Sequence, residues 1–150
     1  MMDILICRIK YPNDPTGNLS AHQNFIGIYT GKTIVMHSIS SILGKQRKVY
    51  INGKNGEANS DYFILDGTDR ILAYLNAPSF IDCTKGYLLN ITDDMDINKL
   101  SNRQIPSDLR LRIEAKIREK QEEGKYTEYT LSGDEFIRNN SKVNKNSWGL

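Results

Sequence analysis

Apolar and polar positions follow two different periods along this chain. In the first two-thirds the apolar residues come in short runs separated by turn formers. "DILICRIKY" sets Ile4, Ile6 and Arg8 against Leu5, Cys7 and Ile9, a β-type run whose start is apolar on both faces. It stops at "PNDPTGN", where Pro12 and Pro15 cannot donate to a strand ladder. "NFIGIYT" and "KTIVMHSIS" follow, joined through Gly31 by a short Thr-Gly-Lys connection that predicts a hairpin. Period two puts His37 with Val35 and Ile39, and turns Met36, Ser38 and Ser40 to the opposite face.

"RKVYING" reads as a fourth strand, ended by the exposed loop "NGKNGEANS". "DYFILDG" and "RILAYLN" come next with "DGTD" as the turn between them, the second compatible with either a strand or a helical turn. "GYLLNI" completes the set. Six or seven short strands at close spacing argue for a small barrel or a strongly curved sheet. The period then changes. "IPSDLRLRIEAKIREKQEEGK" has Leu109, Ile113 and Ile117 four apart, with Leu111 widening the stripe, which predicts an amphipathic helix. Pro106 or Ser107 suits its start, Asp108 the positive end of its dipole, and Gly124 its stop. The expected fold is therefore α+β: a small, curved antiparallel β-barrel with a C-terminal amphipathic helix, over residues 1–124. Residues 125–150 are expected to form a terminal strand or a partly disordered tail, and Trp148 can anchor the polar end "NNSKVNKNSWGL" to the body.

Composition narrows the class without naming a function. The 150 residues, 39% of them hydrophobic and 25% charged, suit one globular domain. The net charge of +2 is too small to imply nucleic acid by itself. Its distribution says more, because Lys45, Arg47, Lys48 and Lys54 cluster after the hairpin and can attract phosphate locally. Cys7 and Cys83 both lie in apolar runs, with neither a disulfide framework nor a zinc spacing around them. No apolar run reaches membrane-spanning length and no leader pattern opens the chain, so the expected location is cytoplasmic.

Candidate chemistry centres on "AHQNFIGIYTGKTIVMHSISS". His37, on an apolar face, reads as a structural residue. His22 ends a polar loop before a strand, where an imidazole can serve as general acid or base. Ser40 and Ser41 end the next strand and can offer hydroxyls to an anion, or simply satisfy free backbone groups there. The run "GKQRK" can hold a phosphate chain or be a solvated turn. Tyr50, Tyr62 and Phe63 suit base stacking as well as a core. The acids of "DDMD" lack the spacing of a calcium loop, and no phosphate-binding glycine loop or serine-hydrolase elbow occurs.

The order of these segments resembles the MazF/PemK-like toxin superfamily, including its ToxN/AbiQ branch, over about residues 3 to 91. "HQNFIGI" stands where that group has a basic residue and an Arg-Pro pair entering a strand. "HSISS" stands in place of its Pro-Leu/Ile-Thr/Ser-Ser ending, and "GKQRK" in place of a basic turn. "DYFILDGTDRILAYLNAPSFID" is similar to the branch's paired strands around an Asp-Gly turn. The resemblance implies an SH3-like barrel and a metal-independent endoribonuclease that needs no cofactor, leaves a 2′,3′-cyclic phosphate on single-stranded RNA and is paired with a protein or RNA antitoxin. It implies catalytic parts for His22, Ser40 and Ser41, and substrate binding by Gln23, Lys45, Arg47 and Lys48. The chain departs from the pattern at Gln23 and Asn24, which replace the Arg-Pro pair, and glutamine cannot clamp phosphate as a guanidinium does. Two other readings stand beside it. One is a non-catalytic module binding nucleic acid or protein on the same barrel; the other is a homodimer formed through the amphipathic helix.

Overall fold

The computed structural model describes residues 2–51 and 56–147. Lys54, Trp148 and Leu150 lie outside the described residues. Eight strands form one curved, open and largely antiparallel sheet: β1 (Ile4–Lys10), β2 (Leu19–Tyr29), β3 (Thr33–Ser41), β4 (Tyr62–Leu65), β5 (Ser79–Asp82), β6 (Lys85–Asn90), β7 (Asn102–Arg103) and β8 (Thr127–Thr130). Four helices accompany it: α1 (Gln46–Val49), α2 (Gly67–Leu72), α3 (Ser107–Glu122) and α4 (Gly133–Asn139). The main path runs β4-β5-β3-β2-β1-β7, while β6 joins β3 to β8. Among the described residues no pairing joins the two ends of this sheet.

The centre of the sheet is the predicted hairpin of β2 and β3, with β1 on its outer side. One edge of β3 serves two partners. Thr33 to Met36 pair with β6, and Ile39 to Ser41 pair with β5. His37 and Ser38 fall between these two registers, so the sheet parts there.

Period two divides the side chains between two cores. On the first face Leu5, Cys7, Ile26, Met36, Tyr87 and Leu89 lie under Leu131, Phe136 and Val143 from the C-terminal segments. On the second, Ile4, Phe25, Ile39, Ile81 and Cys83 meet Leu109, Ile113 and Ile117 of α3. Burying each of these three aliphatic side chains contributes about 1.5–3 kcal/mol. Leu109, Ile113 and Ile117 of the α3 stripe are thus buried against the sheet of the same chain. Gly124 ends α3 in the left-handed region at φ 73°, as helix-stopping glycines do.

Several sequence expectations change. Leu111 points to solvent, 64% exposed, because it lies off the i, i+4 row that meets the sheet. The described part of "RKVYING" is not a strand: Gln46–Val49 form α1, and Tyr50 makes a single bridge to Ala58. "RILAYLN" is helical at its start, with Asp66 accepting from Gly67 N at 2.7 Å to cap α2. The partner of β4 is instead "SFID", too short for a periodic signal but buried between two neighbours. The segment after Gly124 adds β8, parallel to β6, and then α4. Asn140 fixes α4 to β1 by accepting from Arg8 N at 2.8 Å and donating to Arg8 O at 2.9 Å. No described helix is long and apolar enough to cross a membrane.

A candidate anion and nucleotide cleft

Along β2 and β3 the apolar residues of the first face stop at the Ile26–Met36 pair, and the next row toward the β1–β2 turn is polar. Asn24 pairs with Ser38, and His22 stands beside Cys7 of β1. Two residues along each strand returns the chain to the same face, so His22, Asn24, Ser38 and Ser40 all point one way. Ser40 pairs across with Phe80 of β5, and Lys85 opens β6 where the sheet parts. The result is a cleft of about 390 Å³ whose walls include His22, Ser38, Ser40, Lys45, Lys48 and Lys85.

Its lower layer is held by hydrogen bonds. Tyr11 donates its hydroxyl to Ser38 Oγ at 3.0 Å, and its ring meets His22 edge-on at 5.1 Å between centroids. Asn24 is fully buried and donates to the carbonyl of His22 at 3.2 Å. Burial lowers the His22 pKa below the ordinary histidine value, and the nearby Lys45 charge lowers it further. Both effects favour the neutral imidazole, the form that can accept a proton.

The cationic wall comes from the segment around α1. Lys45 and Lys48 are three residues apart and lie on the same side of this turn, each with its Nζ 5.9 Å from the Phe80 ring centroid. Tyr62 packs on Phe80 at 4.9 Å, and Lys48 also sits over Tyr62. Opposite, Lys85 pairs with Asp82 at 3.5 Å. A cleft with three ammonium groups, the hydroxyls of Ser38 and Ser40 and aromatic rings suits a phosphate with an attached base.

Of the residues singled out in the sequence, His22, Ser40, Lys45 and Lys48 line this cleft together. Ser41, Gln23 and Arg47 do not. Ser41 is exposed, and its Oγ accepts from Leu43 N at 3.2 Å, a strand-end turn. Gln23 faces the other side of the sheet, where its Oε1 accepts from Arg103. Arg47 is exposed on α1 away from the cleft walls. Tyr11, Ser38, Asp82 and Lys85 line the cleft without having been chosen. Ser38 was within reach, because period two already puts it on the face of Ser40. Lys85 was not, because its position depends on which strand pairs with which half of β3.

His37 has a different part. It is 2% exposed, with Nδ1 2.9 Å from the carbonyl oxygen of Lys85, and it fills the gap where the sheet parts. A Cβ on Gly27 would stand 2.7 Å from its Nε2, so the ring needs glycine at that point of β2. Cys7 and Cys83 are buried free thiols, each pushed up to about 12 chiefly by burial, and both are unreactive. In "DDMD", Asp96 caps a short 3₁₀ turn through Asn98 N, and Asp94 accepts from Thr92. Among the described residues, no three His, Cys, Asp or Glu side chains are grouped to hold a metal ion. Compared with known proteins, the chain matches no family model, no curated protein and no solved structure.

Proposed function

We propose that the cleft is the active site of an endoribonuclease that cleaves single-stranded RNA without a metal, on a variant of the SH3-like barrel of MazF/PemK-like toxins. One observation carries the reading: the His22 imidazole stands in the same cleft as Ser40 and three lysines. RNA strand scission needs a base for the 2′-hydroxyl, donors for the phosphorane oxygens and a proton for the leaving 5′-oxygen. His22 takes the 2′-hydroxyl proton, and the 2′-oxygen attacks phosphorus. Ser40 and Ser38 donate to the non-bridging oxygens, while Lys45 and Lys48 offset the charge that builds there. Lys85, an ammonium donor at the opposite wall, supplies the proton to the departing 5′-oxygen. The products are a 2′,3′-cyclic phosphate and a 5′-hydroxyl. An antitoxin of protein or RNA would act by covering the same cleft.

The test is a gel assay of RNA cleavage with chelator present. Wild type should cut, His22→Ala should lose at least about 100-fold in rate, the usual worth of a general base, and Ser40→Ala should lose less. Equal cleavage by all three proteins would end the proposal. A second reading has its own support, since among the described residues no arginine lines the cleft and lysines hold phosphate as point charges without a bidentate clamp. On that reading the protein binds RNA without cutting it. RNA binding that survives in His22→Ala, with no cleavage by wild type, would favour it.

A further inference from the structure

A second cavity adjoins the cleft. It has a volume of about 320 Å³ and lies between the end of β1, the end of β8 and α4. Tyr11 and Asp14 line both cavities, so they form the wall between them. The floor is apolar, made by buried Ile9, Leu131 and Phe136. Glu135 and Asn139, both half-buried, supply polar groups at its side, and Arg8 and Lys10 stand exposed at its rim.

We propose that this cavity is a guanine-binding subsite for a nucleotide flanking the phosphate in the cleft. The choice of nucleotide as occupant rests on the ribonuclease reading; the choice of base rests on the cavity's own chemistry. Its size is at the low end for small-molecule sites, suited to one base with its sugar. Its apolar floor suits the face of a base. Among the described residues the Glu135 carboxylate makes no ion pair and no side-chain hydrogen bond, so its acceptors are uncommitted. Asp14 is already occupied on Oδ1 by Thr16 N and Thr16 Oγ1. Guanine alone of the four RNA bases presents two adjacent donors on one edge, N1–H and N2–H₂, and a carboxylate accepts both at once. Asn139 can donate to O6 beside them. Adenine and cytosine each offer one amino donor beside a ring acceptor, which a carboxylate repels, and uracil offers one donor between two carbonyls. The walls are held in place, since Asn140 ties α4 to both backbone groups of Arg8 and to the carbonyl of Phe136 at 2.9 Å. Arg8 and Lys10 at the rim face the nucleotide's phosphate.

The experiment titrates the full chain with the 3′-monophosphates of guanosine, adenosine, cytidine and uridine, in wild type, Glu135→Gln and His22→Ala. Wild type should bind the guanosine nucleotide about tenfold more tightly than the others, the effect of one good bidentate pair. Glu135→Gln keeps the side-chain volume but sets an amide donor against the guanine donors, and should reduce the preference to within about threefold. Its helix cap is unaffected, because Ser132 Oγ accepts from the backbone N of Glu135; a far-UV spectrum and melting curve like those of wild type check the fold. His22→Ala should retain the preference. Equal binding of all four nucleotides, binding of none, or a preference unchanged in Glu135→Gln would overturn the proposal. Guanosine nucleotide binding without RNA cleavage would remove the nuclease and leave the subsite. RNA cleavage without that binding would do the reverse.

Discussion

His37 should make the fold acid-sensitive by an amount that the structure lets one work out. The Lys85 carbonyl at 2.9 Å can only accept, so Nδ1 carries a proton, and burial favours leaving the second nitrogen without one. A second proton would place a charge in a site that is 2% exposed, between Phe25 and Tyr126 and near the Arg110 guanidinium. Glu114, Arg118 and Glu128 line the adjoining cavity together with His37. Burial, with Arg110 adding a smaller effect, lowers the His37 pKa to about 4; the Lys85 hydrogen bond works the other way. In the unfolded chain the value is about 6.5. Below pH 6.5 the unfolded state therefore takes up a proton that the folded state refuses, and stability falls as pH falls. The contribution is complete above about pH 6.5 and is lost progressively down to about pH 4. At 1.36 kcal/mol per pH unit, the loss from this residue is about 3 kcal/mol. Urea unfolding at steps from pH 7.5 to 4.5 would measure it in wild type and in His37→Asn, which keeps an N–H for the Lys85 carbonyl and does not titrate. The carboxylates titrate alike in both proteins, so the difference between the curves isolates His37. Parallel curves would refute the reasoning.

Two further outcomes test the elements around the sites. Asn140→Ala strands the backbone N–H and C=O of Arg8, and should destabilise the protein by about 2–4 kcal/mol, seen as a lower urea midpoint at an unchanged m value. A midpoint equal to that of wild type would mean that α4 is not held to β1 through this residue. Lys45→Met removes the smaller of the two causes that depress His22, so the acid limb of the pH–rate profile for RNA cleavage should move upward while staying below the ordinary histidine value. A limb that does not move would place the Lys45 charge outside the surroundings of His22.

What the sequence reveals of this molecule is mostly local. Period two correctly sets His37 against Ser38 and Ser40, and the i, i+4 row of Leu109, Ile113 and Ile117 marks the face of α3 that meets the sheet. Where a segment is four residues long, period carries no weight. Gln46–Val49 becomes a helix and Ser79–Asp82 a strand because of their neighbours. The cleft is the least local feature of all. It opens because β3 gives its first half to β6 and its second to β5, and nothing in the β3 sequence announces two partners.

The same geometry bears on how a resemblance should be carried across. A basic residue and the Arg-Pro pair after it are consecutive, and reading them as one block assigns His22 and Gln23 to one site. In a strand, however, consecutive side chains point to opposite faces. His22 enters the cleft with Ser38 and Ser40, whereas Gln23 meets Arg103 beneath the other face. An arginine at position 23 would face the same way while the strand keeps its register. The glutamine therefore takes no cation from this cleft, whose positive charge comes from Lys45, Lys48 and Lys85. Replacing Gln23 by arginine should then leave RNA affinity unchanged. It should instead destabilise the fold, because it sets a second guanidinium against Arg103, which already donates to the carbonyl of Ala73.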